Sequence, residues 1–105
     1  MTHWSLLWAK ITAGAAGDTE VVPAVAGRKI AVMGYVLMST GDVNAKWNDG
    51  VDDLTGLLYP TTRGGAVAPI APDHKFWFET AEGRPLNLNL SGSVAVGGHV
   101  LYQLK

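Results

Sequence analysis

Leucine and asparagine alternate through Leu86-Asn87-Leu88-Asn89-Leu90, the clearest polarity pattern in the chain. A period of two puts the leucines on one face of a strand and the asparagines on the other, one face dry and the other wet. The Ser91-Gly92-Ser93 turn and the apolar Val94-Ala95-Val96 follow, which predicts a hairpin closed by a glycine-bearing turn. Segments of similar character cover residues 5–12, 19–25, 29–39, 43–48, 54–58, 75–80 and 99–104. Turn signals separate them: Ala16-Gly17-Asp18, Ala26-Gly27, Thr40-Gly41-Asp42, Asn48-Asp49-Gly50 and Glu82-Gly83-Arg84. No segment has helical periodicity, and 13 glycines and five prolines would interrupt helices repeatedly. Many short strands at this spacing indicate a sandwich or barrel. The pattern predicts a single all-β domain over residues 1–105, sandwich or barrel; of these, a two-sheet antiparallel β-sandwich, jelly-roll-like, is the form expected. Residues 1–9 are a candidate N-terminal arm or donated strand.

Two segments complicate that picture. The stretch from Ile30 to Met38 is apolar on both faces, with Ile30, Val32, Val36 and Met38 on one and Ala31, Met33, Tyr35 and Leu37 on the other. Only one face of a strand meets the core of a sandwich, so the second needs a cover such as a neighbouring subunit or a loop. Pro23 marks its strand as an edge or as bulged there. Residues 59–73 carry Pro60, Pro69, Pro72 and Gly64-Gly65 with no regular period. A crossover between sheets explains that segment better than a functional loop does.

Composition narrows the functional classes. Charged residues make up 16% of the chain and hydrophobic ones 48%, against roughly 25% and 45–50% in ordinary domains. Subunit interfaces are depleted in charge, so the shortage points to self-association. The net charge is -1 and the eight basic residues are scattered, which argues against nucleic acid as a partner. There is no cysteine, hence no disulfide, thiolate metal site or cysteine nucleophile. The first residues, Met1-Thr2-His3-Trp4, lack a basic region and a long apolar run, so no signal peptide is expected, and no membrane span.

Candidate chemistry is sparse. Asn48-Asp49-Gly50-Val51-Asp52-Asp53 gathers three carboxylates at a glycine turn, but their spacing does not match a twelve-residue calcium loop. A solvated hairpin tip is the better reading. His3, His74 and His99 have no partner at metal-ligand spacing. Asp73-His74 lacks an activated nucleophile to serve, so a small hydrolase is disfavoured. Catalytic, metal and cofactor residues are therefore expected to be absent. Trp4, Trp8, Trp47, Trp77, Tyr35, Tyr59 and Tyr102 could form a sugar-stacking platform, yet aromatics dominate cores and subunit interfaces. Trp4, Trp8, Tyr35 and Trp77 are the residues expected to contact a partner. Trp4 and Trp8 share parity on the first strand, and Trp77 points opposite to Phe76 and Phe78.

The chain also bears a resemblance. Lys10-Ile11-Thr12-Ala13-Gly14, Val21-Val22-Pro23-Ala24-Val25-Ala26-Gly27-Arg28-Lys29-Ile30, Gly34-Tyr35-Val36-Leu37, Leu54-Thr55-Gly56 and Gly64-Gly65-Ala66-Val67-Ala68-Pro69 carry its first half. Trp77-Phe78-Glu79-Thr80-Ala81-Glu82-Gly83, Leu86-Asn87-Leu88-Asn89-Leu90-Ser91 and Val96-Gly97-Gly98-His99 carry the second. Together they resemble a family of small β-sandwich virion accessory proteins of tailed bacteriophages and prophages. The chain departs from that pattern at residues 1–8 and at Asp73-His74-Lys75-Phe76. The resemblance implies a non-enzymatic decoration or cement protein in the virion, made in the bacterial host cytoplasm. It would be a homo-oligomer, expected to be a trimer, that binds the major capsid protein or other virion proteins. The alternative it implies is a head- or tail-fibre module binding host glycans through exposed aromatics such as Trp47 or Trp77. No catalytic residue comes with it.

Overall fold

Alternation sets the strands and glycine allows them to approach. In the computed structural model, which describes residues 6–69 and 75–105, the strands are β1 (Leu7–Ala13), β2 (Gly17–Val22), β3 (Ile30–Ser39) and β4 (Ala45–Asn48), followed by β5 (Gly65–Ala68), β6 (Phe78–Glu79), β7 (Leu86–Leu90) and β8 (Val96–Leu104). All described strand pairings are antiparallel. One sheet runs β1-β8-β3, with β5 and β6 following each other along the far edge of β3; the other runs β2-β7-β4. The two sheets pack into a β-sandwich.

The core is what the alternation selects. Ile11 and Ala13 of β1, Ile30, Val32, Tyr35 and Leu37 of β3, and Val96 and Val100 of β8 come from the first sheet. They meet Val22 of β2, Ala45 and Trp47 of β4, and all three leucines of β7. Burying each such aliphatic side chain contributes about 1.5–3 kcal/mol before ordering costs. Trp47 is fully buried and packs edge-on against Tyr35, ring centroids 5.3 Å apart, with Phe78 6.3 Å from both. Burial raises the Tyr35 phenol above its ordinary value of 10.0, against a smaller opposing influence from Trp47.

Glycine is required at two close approaches. A side chain on Gly98 would overlap the Val36 carbonyl of the neighbouring strand, and φ there is +146°. One on Gly65 would overlap the Leu37 carbonyl.

Three expectations are corrected. First, the Ser91-Gly92-Ser93 turn does not close a hairpin. β7 pairs with β2 and β4, whereas β8 pairs with β1 and β3, so the chain crosses between sheets. The Ser91 hydroxyl and N–H are tied to the Asn44 backbone, which fixes that crossing. Second, a β-bulge between Val32 and Gly34 resets the parity of β3. Tyr35 and Leu37 thereby join Ile30 and Val32 in the core, leaving Val36 and Met38 on the outer face. Third, Gly65–Ala68 is a strand inside the segment read as a crossover, and residues 54–58 contribute only a bridge from Leu58 to Ala45. Pro23 follows an edge strand bulged between Glu20 and Val22, as its position suggests. Leu7–Ala9, within the candidate arm, pair with Tyr102, Leu101 and Val100 of the same sandwich; Met1–Ser5 lie outside the described residues.

Candidate contact surface

Each sheet has one face in the core and one outside, and the two outer faces are built differently. On the β2-β7-β4 sheet, Asp18, Asn89 and Lys46 stand in one cross-strand row and Glu20, Asn87 and Asn48 in the next. Asp18 Oδ1 accepts hydrogen bonds from Asn48 Nδ2 and Asn89 Nδ2, both at 2.8 Å. Asn48 Oδ1 accepts from Asn87 Nδ2 at 3.2 Å and from the Gly50 N–H at 2.9 Å. The Asn48 and Asn89 donors hold the Asp18 carboxyl below its usual value, with burial opposing and Lys46 assisting. Asp18, Asn48, Asn87 and Asn89 on this face thus bond one another across strands.

The turn after β4 continues the network inward. Asp49 is 2% exposed, so it is not part of a solvated tip. Its Oδ1 accepts from the Val51 and Asp52 N–H groups at 3.1 and 2.8 Å, and its Oδ2 accepts from the Ala81 N–H at 3.1 Å. Arg84 Nη1 lies 3.6 Å from Asp49 and 3.7 Å from Asp52. Burial opposes ionisation, but the three N–H donors and the guanidinium outweigh it and keep the Asp49 carboxyl below its ordinary range. Asp49 is thus an anchor joining two distant turns. No group of three or more potential metal ligands occurs among the described residues.

The outer face of the β1-β8-β3-β5 sheet keeps its ion pairs, Lys29 and Lys105 with Glu79, at the β6 end, and the rows away from that end have no comparable network among the described residues. Its cross-strand rows read Trp8-Leu101-Gly34, Lys10-His99-Val36-Val67 and Thr12-Gly97-Met38-Gly65. Trp8 is 62% exposed, Met38 50% and Val67 67%, on a face whose charged or titratable groups in these rows are Lys10 and His99 alone. Three rows across four strands project on the order of 300–400 Å² at standard strand spacings. Lys10 and His99 interrupt that area, with Trp8 and Leu101 on one side of them and Met38 on the other. Beyond these rows Ala31, Met33 and Gln103 are buried, and Phe76 lies with its ring centroid 4.2 Å from Lys105 Nζ.

The expected contact residues separate accordingly. Trp8 stands on this face. Tyr35 is 8% exposed and belongs to the core, because the bulge turns it inward. Trp77 is 54% exposed, with its indole N–H donating to the Pro69 carbonyl at 2.7 Å. Trp47, offered above as a glycan contact, is fully buried and cannot stack on a sugar. Trp4, His3, Asp73 and His74 lie outside the described residues. His99 is exposed beside Lys10. Met38 and Val67 were missed, since the bulge and the unrecognised β5 hide their exposure from a parity count. Among the described residues no helix is long and apolar enough to cross a membrane. Comparison with protein-family models, curated proteins and solved structures gives no match.

Proposed function

We propose that this chain is a non-enzymatic structural module that self-associates and clads a larger assembly through the outer face of its β1-β8-β3-β5 sheet. The observation that carries the reading is the exposed apolar set Trp8, Met38 and Val67 on one outer face, opposite a face whose Asp and Asn side chains bond one another. Apolar area removed from water contributes roughly 25 cal/mol per Å², and repetition over a symmetric lattice multiplies a modest contact. The resemblance to tailed-phage accessory proteins supplies the setting. In that setting the chain is a jelly-roll-like capsid decoration protein, made in the bacterial host cytoplasm, that binds the major capsid protein or another virion protein. Quantifying the chain in purified particles tests this. Hundreds of copies on the head are expected; a handful confined to the tail would overturn the decoration role.

A second reading, a fibre module binding host glycans, is favoured by Trp77 alone. Its ring is exposed while its N–H is held by Pro69, the posture of a fixed stacking platform. That reading requires an oligosaccharide titration to change tryptophan fluorescence in the wild type and not in Trp77→Ala.

A further inference from the structure

Among the described residues, one long edge of the sandwich is neither covered nor interrupted. β2 is bulged, carries Asp18 and Glu20, and runs into Pro23. The β4 edge is occupied, since Ala45 exchanges backbone hydrogen bonds with Leu58 and the Leu54 N–H donates to the Trp47 carbonyl. β5 has four residues and β6 two. β1 differs from all of these. It pairs with β8 over seven consecutive residues without a register shift, contains no proline, and ends the strand order of its sheet. Its other side therefore presents a row of backbone donors and acceptors without partners among the described residues. Natural sheets blunt such edges with proline, bulges or charged side chains; β1 has neither proline nor bulge, and its one charge is Lys10.

We propose that the free edge of β1 is the seam for a second copy of this chain, added antiparallel about a two-fold axis through Ala9. This rests on the reading that the chain self-associates, and it specifies how. The side chains choose the register. Pairing outward residues with inward ones would bury Lys10 and expose Ile11, so only registers centred on a residue keep both faces in phase. Centring on Lys10 sets ammonium against ammonium. Centring on Trp8 opposes Lys10 with the exposed Leu6, an ammonium against an aliphatic side chain, and gives it no favourable partner. Centring on Ala9 opposes Trp8 with Lys10 of the second copy, twice by symmetry, and Leu7 with Ile11. Trp8 is exposed and Lys10 makes no ion pair among the described residues, so both are free to form this cation–π pair. The seam would also join the two apolar outer faces into one, with both Trp8 rings at its middle. A two-fold, isologous contact closes as a dimer, in place of the expected trimer.

The absence of cysteine makes the test clean. Opposed residues of an antiparallel pair have Cα atoms about 4.5–5.5 Å apart, within disulfide range. Under mild oxidation, Ala9→Cys should form covalent dimers well ahead of Lys10→Cys and of a control, Glu82→Cys, each shown folded by circular dichroism. In sedimentation, Lys10→Glu should weaken association roughly ten-fold, as two cation–π contacts are lost per dimer, while Lys10→Arg retains it. Preferential cross-linking of Lys10→Cys would overturn the register. Self-association with no β1 cysteine cross-linking faster than the control would overturn the seam and leave self-association standing. A chain that sediments as a monomer across the whole concentration range would overturn both.

Discussion

The two outer faces of this sandwich start from the same strand alternation and end in opposite states. On the β2-β7-β4 sheet the outward positions are Asp, Asn, Glu and Lys, and their side chains bond across strands: Asp18 to Asn48 and Asn89, Asn48 to Asn87. On the β1-β8-β3-β5 sheet the corresponding positions hold Trp8, Leu101, Val36, Met38 and Val67 around a single Lys–His pair. Polar groups that satisfy one another leave little to offer a partner, because a partner must first replace those bonds. Apolar groups left in water gain from any dry surface that fits. The polar face is therefore largely finished within the monomer, and the apolar one is the face the proposed function assigns to a partner.

The largest effect expected from disturbing this arrangement falls on the rigid backing of the apolar face. Gly98→Ala would drive a methyl group into the Val36 carbonyl at a left-handed φ, so strands β8 and β3 could not keep their spacing. A loss of about 4 kcal/mol or more is expected, read as a protein that denatures in little or no urea. Next comes a matched pair of tryptophans. Trp47→Ala empties a fully buried site and should cost about 3–5 kcal/mol. Trp8→Ala, at 62% exposure, should change monomer stability by no more than about 0.5 kcal/mol while weakening association. Equal stability losses in the two variants would erase the distinction between core and contact surface.

A further effect, smaller than the loss of Trp47, concerns the anchor beside the polar face. Asp49 has a carboxyl lowered from the ordinary 3.8. A depressed folded-state value means that the stabilisation is complete above the ordinary value and is lost as pH falls through the lower one. Urea unfolding should thus show stability declining below about pH 4. Asp49→Asn should cost about 2 kcal/mol at neutral pH and flatten that acid decline. An unchanged acid limb in the variant would remove Asp49 from the account.

Much of the architecture was legible from residue order, and the failures have physical causes. Leu86–Leu90 was bounded correctly because its alternation is strict and its core partners are all on one face. The bulge at Met33 was not legible: nothing in Ile30-Ala31-Val32-Met33-Gly34 marks the extra residue, which exists because β8 pairs on either side of it. That one residue turns Tyr35 into the core and Met38 onto the outer face. Gly65-Ala66-Val67-Ala68 has weak intrinsic strand preference and becomes a strand only by adding to β3. Asp49 looked like part of a wet turn, since its burial depends on Ala81 and Arg84, more than thirty residues away. Trp8 is exposed because β1 alternates in polarity and turns its even positions outward.

Residue-resolved hydroxyl-radical footprinting of the protein, dilute and then assembled, tests the central contrast most directly, because Trp and Met side chains are among those readily oxidised. On assembly Trp8 and Met38 should become several-fold less reactive, while residues on the outer face of the β2-β7-β4 sheet keep the reactivity of the dilute protein. Protection of the β2-β7-β4 face with Trp8 and Met38 unchanged would contradict the account.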